Sequence, residues 1–463
     1  MKAKRWALAE RREVMGRTQE TLAEFVGVEP TTVGRWERGE TSPQPWCRPK
    51  LADALAVSLE ELDCMLAEGQ EVEGASDTVD EPEQDRVLSA PWSHRGTVEA
   101  AVVLKGGDRP VKRRHFVFLT GATLTAPAHQ WLVADPGPLV SGLAGRRVSM
   151  ELADRFTAMI GELRATDDVA GGGTVLSLAT QQFGMVADLL DQASYDETTG
   201  RKLHIALAEL GQLCGWCGYD AGQPGLAQRY YIAGLRAAHS ADDRPLGAHI
   251  LGSMAYQAAR EGQPAEAVTL IDTAVVGARG RETASLLAQL YSKQAYALAT
   301  MGDTSRCNAA ISKARTEVER LNRDDDPPWL YWVSPAEITA GAGRCLQKLG
   351  QADQAAVMLD AGIALFDRSF VRDRTNYLIH LADALAQPGP QRDLDAAAER
   401  SMLALDLAES LDSARGNNRL RDLSHQMKPH AKIPAVGAWD HPIDKKLSMS
   451  CPCATLGGDP LRS

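Results

Sequence analysis

The sequence predicts an all-α protein: a small five-helix N-terminal domain followed by an α-solenoid of stacked helix pairs. Three observations carry that expectation. Of the 463 residues 44% are hydrophobic, 24% charged and only 5% aromatic, with alanine and leucine prominent and no stretch ruled by strand-forming residues. Two short helical patterns separated by a glycine break occupy residues 18–39. From about residue 148 to residue 427 helix follows helix, and the breaks at Gly222, Gly262, Gly302 and Gly350 are spaced 40, 40 and 48 residues apart.

The N-terminal domain, residues 1–66, opens with an amphipathic pattern over residues 6–15. Thr18 can cap a helix that begins at Gln19. Leu22, Ala23 and Val26 give that helix its buried stripe, and Ala23 is small enough for a second helix to cross against it. Gly27 ends the helix, and Pro30 falls in the first turn of the next, where a missing N–H costs nothing. Val33 and Trp36 of that second helix then point inward, which leaves Thr31, Thr32 and Arg35 on its outer face. Two further helices are expected over residues 49–56 and 59–66. Helices joined by so short a turn cross steeply, and the second can lay its N-terminal half in a DNA major groove.

The run from Thr18-Gln19 through Leu22-Ala23, Gly27-Val28, Thr32-Val33 and Arg35-Trp36-Glu37 to Gly39 resembles the pattern T-Q-x-x-L-A-x-x-x-G-V-x-x-x-T-V-x-R-W-E-x-G. That pattern marks the Cro/CI-type, or xenobiotic-response-element, family of bacterial helix-turn-helix regulators, and with the flanking helices the likeness covers about 60 residues. The resemblance implies that Gln19 reaches phosphate or a flanking base, that Thr31, Thr32 and Arg35 face base edges, and that Arg38 lies near the DNA backbone. Arginine can grip guanine with two donors, and threonine offers a hydroxyl to a base or a methyl to thymine. The resemblance further implies a structural ion pair between Arg12 of the first helix and Glu37. One position departs from the pattern: Glu29 stands where serine or threonine usually caps the recognition helix, a poorer cap and an anion close to phosphate.

Residues 67–110 are expected to form an acidic flexible linker, since the stretch from Glu68 to about Gly96 is strongly acidic and shows no apolar face. Residues 111–427 form the helical body and residues 428–463 a loosely ordered tail. Within the body the register repeats around each glycine break. Ala258 precedes Gly262, and Ala267, Ile271 and Ala274 follow it; Cys307, Ile311 and Ala314 follow Gly302, and Ala355, Leu359 and Gly362 follow Gly350. Small residues thus recur where antiparallel helices must approach closely. This register is similar to the tetratricopeptide repeat, although the period exceeds the usual 34 residues and the tryptophan and proline positions are not kept. The likeness implies a concave binding face between the first helices of successive pairs, around residues 205–350.

The net charge of −11 excludes a protein coated in nucleic acid along its length, so DNA contact must be local. No apolar run approaches the roughly 20 residues that span a bilayer. The eight cysteines are scattered and no secretory segment leads the chain, which points to a reducing cytoplasm. Arg113-Arg114, leading an apolar stretch that closes at Ala126-Pro127-Ala128, imitates a twin-arginine export signal, but it lies deep in the chain and reads better as the start of the second domain. Cys214-Gly215-Trp216-Cys217 has redox or zinc spacing without a second ligand pair and reads as packing. The glycines at 171–173 lack the lysine and hydroxyl of a phosphate loop, and His204, His239, His249 and His380 lie singly on helices. Asp324, Asp325 and Asp326 read as a solvated loop. Trp329, Tyr331 and Trp332 follow them, and both core packing and a binding wall remain open for these aromatics.

The expectation is therefore a cytoplasmic, sequence-specific regulator of transcription that binds double-stranded DNA as a homodimer. Its repeat body would take a signalling peptide, a small molecule or a partner protein. No catalytic set, metal or cofactor is expected, and no membrane. The alternative is a repeat-based interaction scaffold with little DNA affinity.

Overall fold

The computed structural model divides into two units, residues 1–80 and 81–463. It describes residues 8, 11–12, 15, 17–37, 41, 43–44, 47–55, 57, 62 and 66 of the first. Of the second it describes residues 86–105, 118–135, 142–143, 145–390 and 392–439.

In the first unit three helices have described bounds: α1 (Gln19–Val26), α2 (Pro30–Glu37) and α3 (Arg48–Leu55). Residues 8, 11, 12, 62 and 66 are also helical, within the stretches expected to form the first and fifth helices. A reciprocal cap starts α1. The Thr18 hydroxyl accepts from the Thr21 N–H at 3.2 Å while the Thr21 hydroxyl accepts from the Thr18 N–H at 2.9 Å. Gly27 stops α1 in the left-handed region at φ 85°, and its N–H closes on the Ala23 carbonyl at 2.8 Å. Pro30 then begins α2, and the Glu29 carbonyl takes the Thr32 N–H at 2.8 Å. Leu22, Ala23 and Val26 meet Val33 and Trp36 of α2 and Leu51, Ala54 and Leu55 of α3 in one small core, which Leu8, Leu62 and Leu66 complete.

The second unit starts earlier than the acidity of the chain foretold. Residues 86–105, assigned above to the linker, include a helical turn at Arg86–Ser89 and the helix α4 (His94–Lys105). Thr97, Val98, Ala101 and Leu104 recur at helical spacing and are buried, so this stretch does possess an apolar face. Arg236 fixes it. Its two Nη atoms donate to the Leu88 and Pro91 carbonyls at 2.9 and 3.1 Å, and its guanidinium lies 4.7 Å over the Trp92 ring. The helix α5 (Gly121–Val133) carries the apolar run of the export-like segment and buries Trp131 completely; Arg113 and Arg114 lie outside the described residues.

Next come α6 (Met150–Ala170) and α7 (Gly172–Gln192), flanked by the two-residue strands β1 (Gly142–Leu143) and β2 (Ser194–Tyr195), which pair antiparallel. Five helical hairpins follow: α8 (Glu197–Asp220) with α9 (Pro224–Ser240), α10 (Arg244–Arg260) with α11 (Pro264–Gly277), and α12 (Ala284–Thr300) with α13 (Thr304–Val318). The remaining two are α14 (Pro335–Lys348) with α15 (Ala352–Leu365) and α16 (Val371–Ala386) with α17 (Leu394–Ala408). Successive first helices, α8, α10, α12, α14 and α16, neighbour one another and form one continuous face.

The four periodic glycines occupy hairpin turns at φ between 74° and 79°, a conformation that costs a residue with a Cβ about 1 kcal/mol. Small residues sit where the helices cross. A Cβ added to Gly211 would lie 2.7 Å from the Gly234 Cα, and one on Gly343 would lie 2.8 Å from the Leu359 nitrogen. The chain closes with α18 (Ala414–Met427) against α16. Residues 428–439 belong to the packed body and not to a loose tail, because Val436 and Trp439 are buried among Leu378, Leu405 and Leu420; residues 440–463 lie outside the described residues. Among the described residues no helix is long and apolar enough to cross a membrane.

Candidate DNA-reading head and a cavity in the helical body

The head is organised around one buried carboxylate. Glu37, in the last turn of α2, receives Arg12 Nε on Oε1 and Gln19 Nε2 on Oε2, both at 2.6 Å. The first pattern of the chain, the start of α1 and the end of α2 are thereby tied at a single point. Arg12 also donates through Nη1 to the Arg17 carbonyl at 2.8 Å. Arg11 and Arg17 complete the frame from the other side, their Nε atoms donating to the Leu55 and Ala54 carbonyls at the open end of α3, at 2.9 and 3.0 Å. Arg17 also covers the Phe25 ring at 4.7 Å.

This frame decides what α2 presents. Val33, Gly34 and Trp36 face the core, Thr31 and Arg35 are exposed, and Thr32 is half-buried on the same outer side. The two hydroxyls lie in the N-terminal half of α2 and the guanidinium in its last turn, groups of the kind that can hydrogen-bond base edges. Gln19, expected to reach phosphate or a flanking base, is half-buried and donates through Nε2 to Glu37. A carboxylate buried at that point needs a donor on each oxygen, and Gln19 supplies the second. Arg38 lies outside the described residues.

In the body a cavity of about 120 Å³ opens on the face made by the first helices, and α6, α16 and α18 extend its wall. The aromatics after Asp326 stand in this wall and in the core at once. Trp329 is buried and stacks on His249 at a 4.7 Å ring separation, while Lys293 lies 5.7 Å over the half-buried Trp332. Their loop is pinned from both ends. Arg323 Nη1 donates to the Leu330 carbonyl at 3.2 Å, and Asp326 accepts from the Thr283 hydroxyl at 2.9 Å, so of the three aspartates only Asp324 and Asp325 are solvated.

The cavity is rich in charge. Three of its cations are paired: Arg164 with Glu209 at 2.7 Å, Arg372 with Asp167 and Asp168, and Arg415 with Asp220 at 2.9 Å. Lys293 and Arg344 have no carboxylate within ion-pair distance among the described residues. Arg344 instead lies over Tyr256, Tyr296 and Tyr377 at 5.1, 4.8 and 5.5 Å and donates to the Tyr256 hydroxyl at 3.3 Å. Lys293 donates to the Ser253 hydroxyl at 3.3 Å. Burial pulls the Lys293 ammonium down to about 7 and pushes the Glu337 carboxyl up to about 7. Burial alone would raise the Tyr256 phenol, yet Arg344 and the more distant Arg260, Arg415 and Arg419 outweigh it and hold the phenol below its ordinary value.

Lys293 and Arg344 escaped the sequence reading because each is a lone cation on a helix with no motif around it. Only the stacking of α12 on α14 unites them. Cys214 and Cys217 are buried within α8, where desolvation raises both thiols well above the ordinary cysteine range.

A protein-family model described as a helix-turn-helix domain matches residues 5–64. The chain thus carries a helix-turn-helix domain of the kind found in DNA-binding regulators, joined to an all-α body. The search of curated proteins finds no match.

Proposed function

We propose that this protein is a sequence-specific transcriptional regulator of the Cro/CI type that binds double-stranded DNA as a homodimer in the cytoplasm. In this reading its body, built like a tetratricopeptide array, binds a signal and performs no catalysis. The observation that carries the proposal is the outer face of α2, where Thr31, Thr32 and Arg35 are offered outward while Glu37 locks the helix from behind. The continuous face of first helices and its charged cavity support the sensing half, because concave faces are the usual binding surface of repeat arrays. Dimerisation is proposed through the body, since two-fold operators need paired heads. The test is selection of bound fragments from randomised DNA with the full-length protein. Enrichment of an inverted repeat with half-sites about one helical turn apart is expected, and recovery of no sequence preference would overturn the proposal.

One observation favours a second reading. Glu29 is exposed immediately before α2, an anion where phosphate would lie. A scaffold whose head has little DNA affinity would show uniformly weak binding to every fragment in the same selection.

A further inference from the structure

Resting on the reading of the body as a signal-binding module, we infer that the cavity between α10, α12 and α14 takes a small organic anion. Its carboxylate would sit on Lys293 and Arg344, and a single apolar ring would lie against Trp329 and Trp332.

The argument starts from hydrogen-bond accounting. Buried polar atoms in folded proteins are nearly always paired. Around this cavity the exceptions are all donors: Arg344 Nε, Gln289 Nε2 and Arg164 Nη2 have no acceptor among the described residues. All three side chains are more than nine-tenths buried. Lys293 adds an ammonium whose hydrogen-bond partner here is one hydroxyl, Ser253.

The acids in the same wall are already engaged. Asp167 is held by Arg372, Asp373 lies against Arg372 Nε at 3.4 Å, and Glu337 accepts from the Tyr377 hydroxyl at 2.7 Å. Among the described residues the cavity therefore has buried donors in surplus, and two of its cations, Lys293 and Arg344, have no carboxylate within ion-pair distance. A carboxylate supplies what is missing: two acceptor atoms and one negative charge, bound through charge-assisted hydrogen bonds. A neutral acceptor would meet a donor without the charge, and a cation would add to the unmatched donors.

The size and the walls define the rest of the ligand. About 120 Å³ falls in the size class of cavities that accept one benzene ring. The half-buried face of Trp332 and the buried Trp329 give such a ring a flat apolar seat. A folded or multi-residue peptide exceeds that volume, so the small anion is preferred to a peptide.

The experiment is calorimetric titration of the full-length protein with benzoate, phenylacetate and indole-3-acetate, each against its own amide, with benzylamine as the cationic probe. A short peptide ending in phenylalanine, as free acid and as amide, forms the peptide arm. At least one small carboxylate is expected to bind about tenfold or more tightly than its amide. That preference should fall below about threefold in Lys293→Met and Arg344→Met, and persist in Arg281→Ala, whose side chain pairs with Asp242 on the surface. If Arg344→Met fails to fold, the half-buried Lys293 position decides alone. Equal binding of acids and amides, no carboxylate binding at millimolar concentration, binding of the peptide acid alone, or a preference that survives Lys293→Met would each overturn the inference. The DNA-binding readout is separate: a carboxylate preference that leaves operator affinity unchanged sustains this inference and removes the sensing role proposed above.

Discussion

Two buried polar networks, one in each unit, are built on opposite accounting. In the head Glu37 is a carboxylate whose two oxygens each meet a dedicated donor, Arg12 and Gln19. In the body Lys293 and Arg344 are cations without a carboxylate partner, beside amide and guanidinium nitrogens that have no acceptor among the described residues. A closed network fixes geometry. An open one costs folding free energy and persists where binding repays it. The contrast separates the residues that hold α2 in place from those proposed to meet a ligand.

The largest effect should come from opening the closed network. Glu37→Ala removes the acceptor of both Arg12 Nε and Gln19 Nε2 and is expected to destabilise the head by about 3–5 kcal/mol. Denaturant unfolding followed by far-UV circular dichroism checks it, and a loss below 1 kcal/mol (~) would mean that the pair is merely superficial. The surface it supports should behave otherwise. Arg35→Ala is expected to leave stability unchanged and to weaken specific DNA binding by about 1–3 kcal/mol, with preference relaxed at one base pair. Identical binding profiles of variant and parent across a randomised library would remove Arg35 from the reading surface.

Gln19 sharpens the comparison because its two roles predict different measurements. If its amide serves Glu37, Gln19→Ala costs about 1.5–3 kcal/mol of head stability, the usual worth of a hydrogen bond to a charged group. If its amide serves phosphate, stability stays and DNA affinity falls with a shallower salt dependence. The structure shows the contact to Glu37 at 2.6 Å, and the two measurements decide whether the amide also serves phosphate.

What was legible in the sequence followed from patterns local to one or two helices. Leu22, Ala23, Val26, Val33 and Trp36 announced the head because burial on a short helix repeats every three or four residues. Gly222, Gly262, Gly302 and Gly350 announced the hairpins because a tight turn wants φ above zero. The boundaries were misjudged where charge masked periodicity: α4 has its apolar stripe at Thr97, Val98, Ala101 and Leu104 behind an acidic prelude, and Val436 and Trp439 anchor a segment that looked like a tail. The cavity was out of reach for a different reason. His249, Lys293 and Arg344 come from three successive first helices, 44 and 51 residues apart, and an isolated cation has no period to detect. The aromatics Trp329 and Trp332 were visible as a cluster, but only the fold shows that a lysine lies over one and a histidine on the other.

The smallest predicted change in stability is also the one whose sign tests the contrast. Lys293 is faced by Glu337 and Arg344 from α14 and by Tyr256 and His249 from α10, and burial lowers its folded-state value to about 7 from an ordinary value of 10.5. A lysine depressed on folding binds fewer protons folded than unfolded, so stability from this group rises with pH between about 7 and 10.5 and is lowest below 7. Removing the ammonium should therefore stabilise: Lys293→Met is expected to gain about 1 kcal/mol at neutral pH, with a shallower pH slope over that window. A bound carboxylate acts in the reverse direction, because it favours the charged lysine. Affinity for the carboxylate probe should be greatest below pH 7 and decline as pH rises past that value. Glu337, pushed up to about 7, reinforces this sign, since its ionisation places a second negative charge beside the ligand. Thermal unfolding of parent and variant from pH 6 to 9 (~), paired with titration of the probe over the same range, measures both trends. A Lys293→Met protein less stable than its parent, or probe affinity that grows with pH, would show that the lysine belongs to a closed structural network like that of Glu37.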